Sequence, residues 1–288
     1  MTPGPMRFPA LLAAVLLLSA THAEARPKKK KAAAAAKAGG SGAPACGAKV
    51  LPLVVGNQWT YNPIPAPLPA PDAVKRLAPA QPKSLVITVK SVDAKAGDTV
   101  VTLEESFLID RTREEKKPLI EERTITTTIT CNDKKFDISP DSFFFAGEPG
   151  GYLGLEVTKL ERVKGTSLAL TKGAIGEAEW REDIVMQWAQ QPHEKTGAKL
   201  ASGKLELERR FTPQQPEKLQ TKMGPFDSEK LGLITTGRVT LQNASPTTKP
   251  MELPANWVSQ LWLAEGQGMV QALNSYGHMY QLVDSQLK

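Results

Sequence analysis

Arg123-Thr124-Ile125-Thr126-Thr127-Thr128-Ile129-Thr130-Cys131 is the stretch that decides the fold. Ile125, Ile129 and Cys131 share one phase of a two-residue period, and Thr124, Thr126, Thr128 and Thr130 share the other. Successive side chains of a strand point to opposite faces, so this pattern gives one apolar and one polar face. Thr and Ile are β-branched and stiff at χ1, which suits a pleated surface. The same alternation recurs outward in both directions. Leu85, Ile87 and Val89 oppose Ser84, Thr88 and Lys90, and Val101, Leu103 and Phe107 follow. Later come Leu153, Leu155 and Val157, then Leu205, Leu207 and Phe211, then Leu231, Leu233, Val239 and Leu241. Residues 51–61 and 262–270 read as a first and a late strand of the same body.

Turn chemistry separates these runs at Gly97-Asp98, residues 147–151, Ser202-Gly203 and residues 275–277. Near-adjacent strands on short turns favour antiparallel meanders over βαβ units. The expected fold is therefore all-β and mainly antiparallel, a large curved sheet or open half-barrel with little helix. Two segments are less direct. Trp180, Ile184 and Trp188 suit one helix face, yet Trp180, Ile184, Met186 and Trp188 also share a strand face, and we favour the strand. Residues 62–82 hold seven prolines, which predicts an extended surface excursion outside the central sheet.

The ends of the chain set the compartment. Arg7, the apolar residues 10–20 and small residues at Ala23 and Ala25 form the pattern of an export signal over residues 1–25. The apolar run is shorter than the roughly 20 residues a membrane-spanning helix needs. No later run reaches that length, so no transmembrane helix is expected in the mature chain. Export to the periplasm or the extracellular space follows.

The formal net charge of +6 is local to the beginning of the chain. Seven of the 36 basic residues and one of the 30 acids lie at or before Lys37, which leaves 29 of each for the body. A neutral body excludes a nucleic-acid-binding surface as the source of the charge. Residues 26–45, with Lys28 to Lys31, many alanines and Gly39-Gly40-Ser41-Gly42, are too poor in large apolar groups to fold, and read as a disordered basic tail. This tail is either an electrostatic tether to anionic lipid or envelope polymer or a solvated spacer. The remaining residues, 46–288, are read as one antiparallel β domain, the alternative being two subdomains split near Gly150-Gly151. Its two cysteines, Cys46 and Cys131, are expected to pair in an oxidising compartment; otherwise they are two separate thiols.

Catalytic signatures are lacking. His193 and His278 stand far apart without the clustered ligands of a zinc site, so no metal and no cofactor is expected. No G-x-S-x-G elbow, P-loop or H-E-x-x-H run is present. Gly266-Gln267-Gly268 lacks the third glycine and the strand–helix setting of a nucleotide loop, and reads as a tight turn.

The candidate ligand-binding residues are instead charges and aromatics out of place. Glu105 falls in the apolar phase of Val101, Leu103 and Phe107, and Arg209 in that of Leu205, Leu207 and Phe211. An inward charge is costly unless paired or solvated. Each marks either a polar spot in a ligand cavity, or a bulge, strand end or open edge. Phe143-Phe144-Phe145 are either the apolar lip of a cavity or a membrane-touching tip, or else a short strand buried on both faces.

Pro52-Leu53, Gly56, Trp59 and Tyr61, with Trp262, Ala264, Gly266, Gly268, Val270, Tyr280 and Leu282, resemble the opening "P-L-x-x-G-x-x-W-x-Y" and closing "A-x-G-x-G-x-V" patterns of exported bacterial envelope proteins and lipoproteins of undefined function. The resemblance implies an open half-barrel similar to periplasmic lipoprotein carriers, and no catalytic residues. The expected function is that of a non-enzymatic envelope protein binding a lipid, lipoprotein acyl chain or other apolar ligand in the concave face of its sheet. The alternative is a structural or adaptor protein without a small-molecule ligand.

Overall fold

The alternation in residues 123–131 forms the end of β4 in a twelve-stranded antiparallel sheet, as seen in a computed structural model. The structure describes residues 45–47, 50–67, 81–110, 118–132, 135–145, 156–165, 170–171, 174–175, 179–189, 191–192, 199–200, 202–242 and 249–288. The expected export signal (1–25), nearly all of the expected basic tail (26–45) and His193 lie outside the described residues.

The N-terminal strands are β1 (Gln58–Ile64), β2 (Pro82–Lys95), β3 (Asp98–Asp110), β4 (Ile120–Asn132) and β5 (Lys135–Ile138). Next come β6 (Val157–Gly165), β7 (Leu170–Thr171), β8 (Ala174–Ile175), β9 (Trp180–Trp188), β10 (Gln191–Pro192) and β11 (Lys199–Leu200). The C-terminal strands are β12 (Ser202–Thr221), β13 (Gly224–Gln242), β14 (Met251–Ala264), β15 (Gly268–Leu273) and β16 (Met279–Gln286). A 3-10 turn, Ala45–Gly47, is the one helical element among the described residues.

The main sheet runs β5-β4-β3-β2-β1-β16-β15-β14-β13-β12-β9-β6, while β7–β8 and β10–β11 form two small separate ladders. Two meandering wings thus meet where the first strand pairs with the last. Opposite edges of the sheet are linked by a side chain: Arg162 of β6 forms an ion pair with Asp137 of β5, and its Nη2 donates to the Phe136 carbonyl at 3.3 Å. The sheet therefore curls around one inner face without closing its hydrogen-bond ladder.

The patterns of the two chain ends are spatially one structure. Trp59 Nε1 donates to the Gln267 carbonyl at 2.7 Å, and the Tyr61 hydroxyl donates to the Met269 carbonyl at 2.8 Å. Asn57 Nδ2 donates to the Pro52 carbonyl at 2.7 Å, and its Oδ1 accepts from the Lys288 amide at 2.9 Å. Gly266 and Gly268 have φ of 71° and 87°, which L side chains rarely adopt, so they make the β14–β15 turn. A Cβ on Gly268 would also crowd Trp59 Nε1 and Leu51 Cδ1 at 3.2 Å. Trp262 is buried within the core cluster, its Nε1 donating to Glu217 Oε2 at 3.1 Å with Lys230 over the ring.

The inner face of β1 to β5 and β12 to β16 forms the core, with Trp59, Tyr61, Leu85, Ile87, Leu103 and Phe107 fully buried. The disulfide Cys46–Cys131, with Cα atoms 5.8 Å apart, ties the 3-10 turn to β4 across 85 residues of sequence.

Two sequence expectations are corrected. The ends of 62–82 do not leave the sheet, because Pro63 lies within β1 and Pro82 opens β2. Beyond Tyr61, β1 keeps only β16 as neighbour, and Pro82 faces only β3. Such one-sided stretches tolerate a missing N–H. Pro213, Pro225 and Pro254 obey the same rule, each on a length of strand with a single neighbour. Residues 68–80 lie outside the described residues. Ser202-Gly203 is the start of β12 rather than a turn: Gly203 pairs with Trp188 and Leu241, and a Cβ there would meet the Trp188 ring at 2.1 Å. The glycine admits an indole, not a bend.

Candidate functional site

The registers of β6, β9, β12, β13 and β14 align their inward side chains in transverse rows. Leu160, Met186, Leu205, Val239 and Leu253 are successive cross-strand partners, one from each strand. At about 4.8 Å per strand spacing, the row is roughly 19 Å long. Val157, Trp188, Gly203, Leu241 and Met251 form the row beside it. These rows are only partly covered: Leu160 is 36% exposed, Leu253 42% and Met251 51%. Toward the core, Ile184, Leu207 and Ala255 form a small buried cluster against which Phe145, Leu205, Val239 and Trp257 pack.

An ion cluster separates this cluster from the main core. Glu182 and Arg209 are direct cross-strand partners on β9 and β12, both buried, with Arg209 Nη1 3.0 Å from Glu182 Oε1. That contact is an ion pair without hydrogen-bond alignment. Arg162 Nε donates to the other Glu182 oxygen at 3.2 Å while pairing with Asp137. Two acids and two arginines thus alternate from β12 to β5, so no net charge is buried. The Arg209 guanidinium lies 4.2 Å from the Phe145 ring centroid and 5.1 Å from that of Phe211.

Glu105 sits on β3 between Ile87 of β2 and Ile125 of β4, in unbroken register. It is wholly buried. Thr127 Oγ1 donates to its Oε1 at 2.7 Å and the Phe143 amide to its Oε2 at 2.9 Å. Burial pushes its carboxyl up to about 7, Asp141 adds a smaller upward push, and hydrogen bonds from Ser142, Phe143 and Thr127 oppose them. The phenol of Tyr61 is likewise raised, by burial first and by Glu105 second.

Phe143, Phe144 and Phe145 belong to a turn-rich segment, not a strand. Phe143 and Phe144 fill the space over the inner face; their ring centroids lie 4.7 Å from Tyr61, 5.6 Å from Tyr280 and 5.6 Å from Trp59. Phe145 is half-buried at the margin. It lines a cleft of about 370 Å³ between the sheet edges, with Thr128, Asp137, Asp141, Leu160 and Arg162. The five sequence-predicted residues therefore divide into two places: Glu105 with Phe143 and Phe144 in the core, and Arg209 with Phe145 at the ion cluster.

Sequence reasoning missed Glu182, Arg162 and Asp137. Glu182 carried the same signal as Glu105, a charge in register with Trp180, Ile184 and Met186. The apolar rows gave none, because they exist only once five registers are known. His278 lies in the β15–β16 turn, its amide donating to Asn274 Oδ1 at 3.0 Å, with its imidazole lowered by burial. Among the described residues no group of three or more His, Cys, Asp or Glu is placed to hold a metal ion. None of their helices is long and apolar enough to cross a membrane.

Two solved structures are similar in outline. A candidate exported protein with a YmcC-like fold from Bacteroides fragilis NCTC 9343 gives a TM-score of 0.45 at 14% identity, covering 83% of this chain and 99% of that one. A candidate lipoprotein from Parabacteroides distasonis ATCC 8503 gives 0.44 at 12% identity, with the same coverages. No protein-family model matches the sequence, and no curated protein matches it at a significant level.

Proposed function

We propose that this chain is a non-catalytic exported protein of the bacterial envelope that holds an apolar or amphipathic ligand, such as a lipid or lipoprotein acyl chain, on the inner face of its C-terminal wing. The observation that carries the reading is the row Leu160–Met186–Leu205–Val239–Leu253, apolar across five strands yet left partly open to water. Apolar area leaving water gains roughly 25 cal/mol per Å², so such a row favours an apolar occupant. Its length of roughly 19 Å suits an acyl chain, since one leaflet of a bilayer core is about 15 Å thick. The cleft at the Leu160 end, with its hydroxyl and charged lining, would receive a polar head. The inward charges Glu182, Arg209, Arg162 and Asp137 are engaged with one another, which supports a binding rather than a catalytic role. The export pattern of residues 1–25 supports the compartment.

The test is native mass spectrometry, followed by lipid extraction, on protein purified gently from its own cell envelope. The expected result is a reproducible added mass that extracts as lipid and is lost in a Leu160→Glu, Leu253→Glu double variant. A bare mass for the native protein would overturn the reading and leave the structural or adaptor role, with the basic tail as its contact.

A further inference from the structure

We propose that residues 139–145 are a pH-gated plug: ionisation of Glu105 releases the segment from the inner face while the sheet stays folded. The inference stands independently of any ligand. The segment is joined to the sheet by few directional bonds. Its Ser139 amide donates to the Thr128 carbonyl at 2.8 Å, and its Phe143 amide donates to Glu105. The Ser142 side chain adds a second hydrogen bond to Glu105, and the bonds from Ser142 to the Ser139 carbonyl, from Phe145 to the Ser142 carbonyl and from the Phe144 amide to Ser142 Oγ are internal. Aromatic packing supplies the rest of its hold, against Tyr61, Tyr280, Trp59 and Arg209.

Glu105 is the polar anchor of that arrangement, and none of the ion pairs among the described residues includes it. The groups that face it are the Thr127 hydroxyl from β4, Ser142 and the Phe143 amide from the plug, Ile87 from β2 and Ile125 from β4. The titratable groups acting on it are Asp141 in the plug and Tyr61 on β1, and neither supplies positive charge. A carboxylate buried without a cation is costly, so the closed plug favours the neutral acid. With the plug displaced, water reaches the carboxyl and its ordinary affinity for protons returns.

The sign follows from linkage. The carboxyl titrates at about 7 when closed and near 4.5 when solvated. The closed plug is favoured fully below pH 4.5. Between 4.5 and 7 the open form releases a proton that the closed form keeps, so opening rises about tenfold per pH unit. Above 7 both forms are ionised and the ratio levels off, about 300-fold higher than at low pH. Opening removes Phe145 from the Ile184–Leu207–Ala255 cluster, joining the partly open rows to the core.

Amide hydrogen exchange on the full chain from pH 4.5 to 8, corrected for intrinsic rates, reads this directly. Opening at Phe143, Phe144 and Phe145 is expected to rise through the window while β3 and β4 amides hold, and to be flat near pH 7 in Glu105→Gln, where any remaining rise at the acid end belongs to Asp141, which burial also raises. Asp141→Asn leaves the buried residue untouched and is expected to move the plateau to lower pH, because it removes a like charge. The proposal fails if plug opening is independent of pH, if the rise near pH 7 persists in a folded Glu105→Gln, if Asp141→Asn leaves the plateau unmoved, or if β3 and β4 exchange in step with the plug.

Discussion

Arg209 faces Glu182 across two strands, whereas Glu105 faces Ile87 and Ile125, so two charges with the same sequence signature have different surroundings. For Arg209 the cost of burial is met by a counter-charge on the neighbouring strand. For Glu105 it is met by hydrogen bonds and by a raised proton affinity. Global stability should register this difference. Glu105 keeps its proton in the fold to about pH 7 but loses it near 4.5 in the unfolded chain. Its contribution is complete below 4.5 and is lost as pH rises to 7, a change on the order of 3 kcal/mol. Urea unfolding at several pH values should show that slope in the native chain and its loss in Glu105→Gln. Arg209→Met should instead cost about 3 kcal/mol at every pH from 6 to 8, since it removes one of the two cations around buried Glu182. Both inward charges were legible because strand phase is local. Glu182 was equally local, but Trp180, Ile184 and Trp188 also fit a helix face, so its phase was ambiguous.

Strands take their lengths from their neighbours, which is why alternation located most elements and left their ends open. Nothing within Asn62-Pro63-Ile64 announces that β1 continues there; β16 holds that stretch from one side, where a proline does no harm. Gly203 misled for a related reason, since the residue that requires it lies on β9. Gly203→Ala should therefore destabilise by about 1–3 kcal/mol through the displaced Trp188 ring, despite alanine's better fit to a strand. Thermal melts monitored by near-ultraviolet circular dichroism would detect both the loss and the altered indole environment. The edge strand β6 shows a second device that depends on context. It carries Lys159, Glu161, Arg162 and Lys164, and its register slips twice, between Val157 and Lys159 and between Arg162 and Lys164. Charges and irregularities of this kind discourage pairing with foreign strands, while Arg162 reaches inward to bind β5.

Among the described residues, the two wings are joined by a single ladder, β1 with β16, formed by the most distant strands in the sequence. The bonds from Trp59 and Tyr61 to Gln267 and Met269 reinforce that same junction. The disulfide acts elsewhere, within the N-terminal wing, between residue 46 and β4. These placements separate two perturbations. Reducing Cys46–Cys131 frees a loop of 85 residues, which the chain-entropy model values at about 4 to 5 kcal/mol. It leaves every ladder intact, so the reduced protein should unfold at lower urea but still in one transition. Truncation before Met279 removes β16 and leaves β1 and β15 with open edges facing the buried Trp59 and Tyr61. No other ladder then couples the wings, and the single transition should be lost, with the two halves exchanging amides independently. Hydrogen exchange resolved by wing, set beside urea titration of the reduced full chain, checks both outcomes. One shared transition in the truncated chain would mean that the common core and the Arg162 link between β5 and β6 couple the wings as effectively as the terminal ladder.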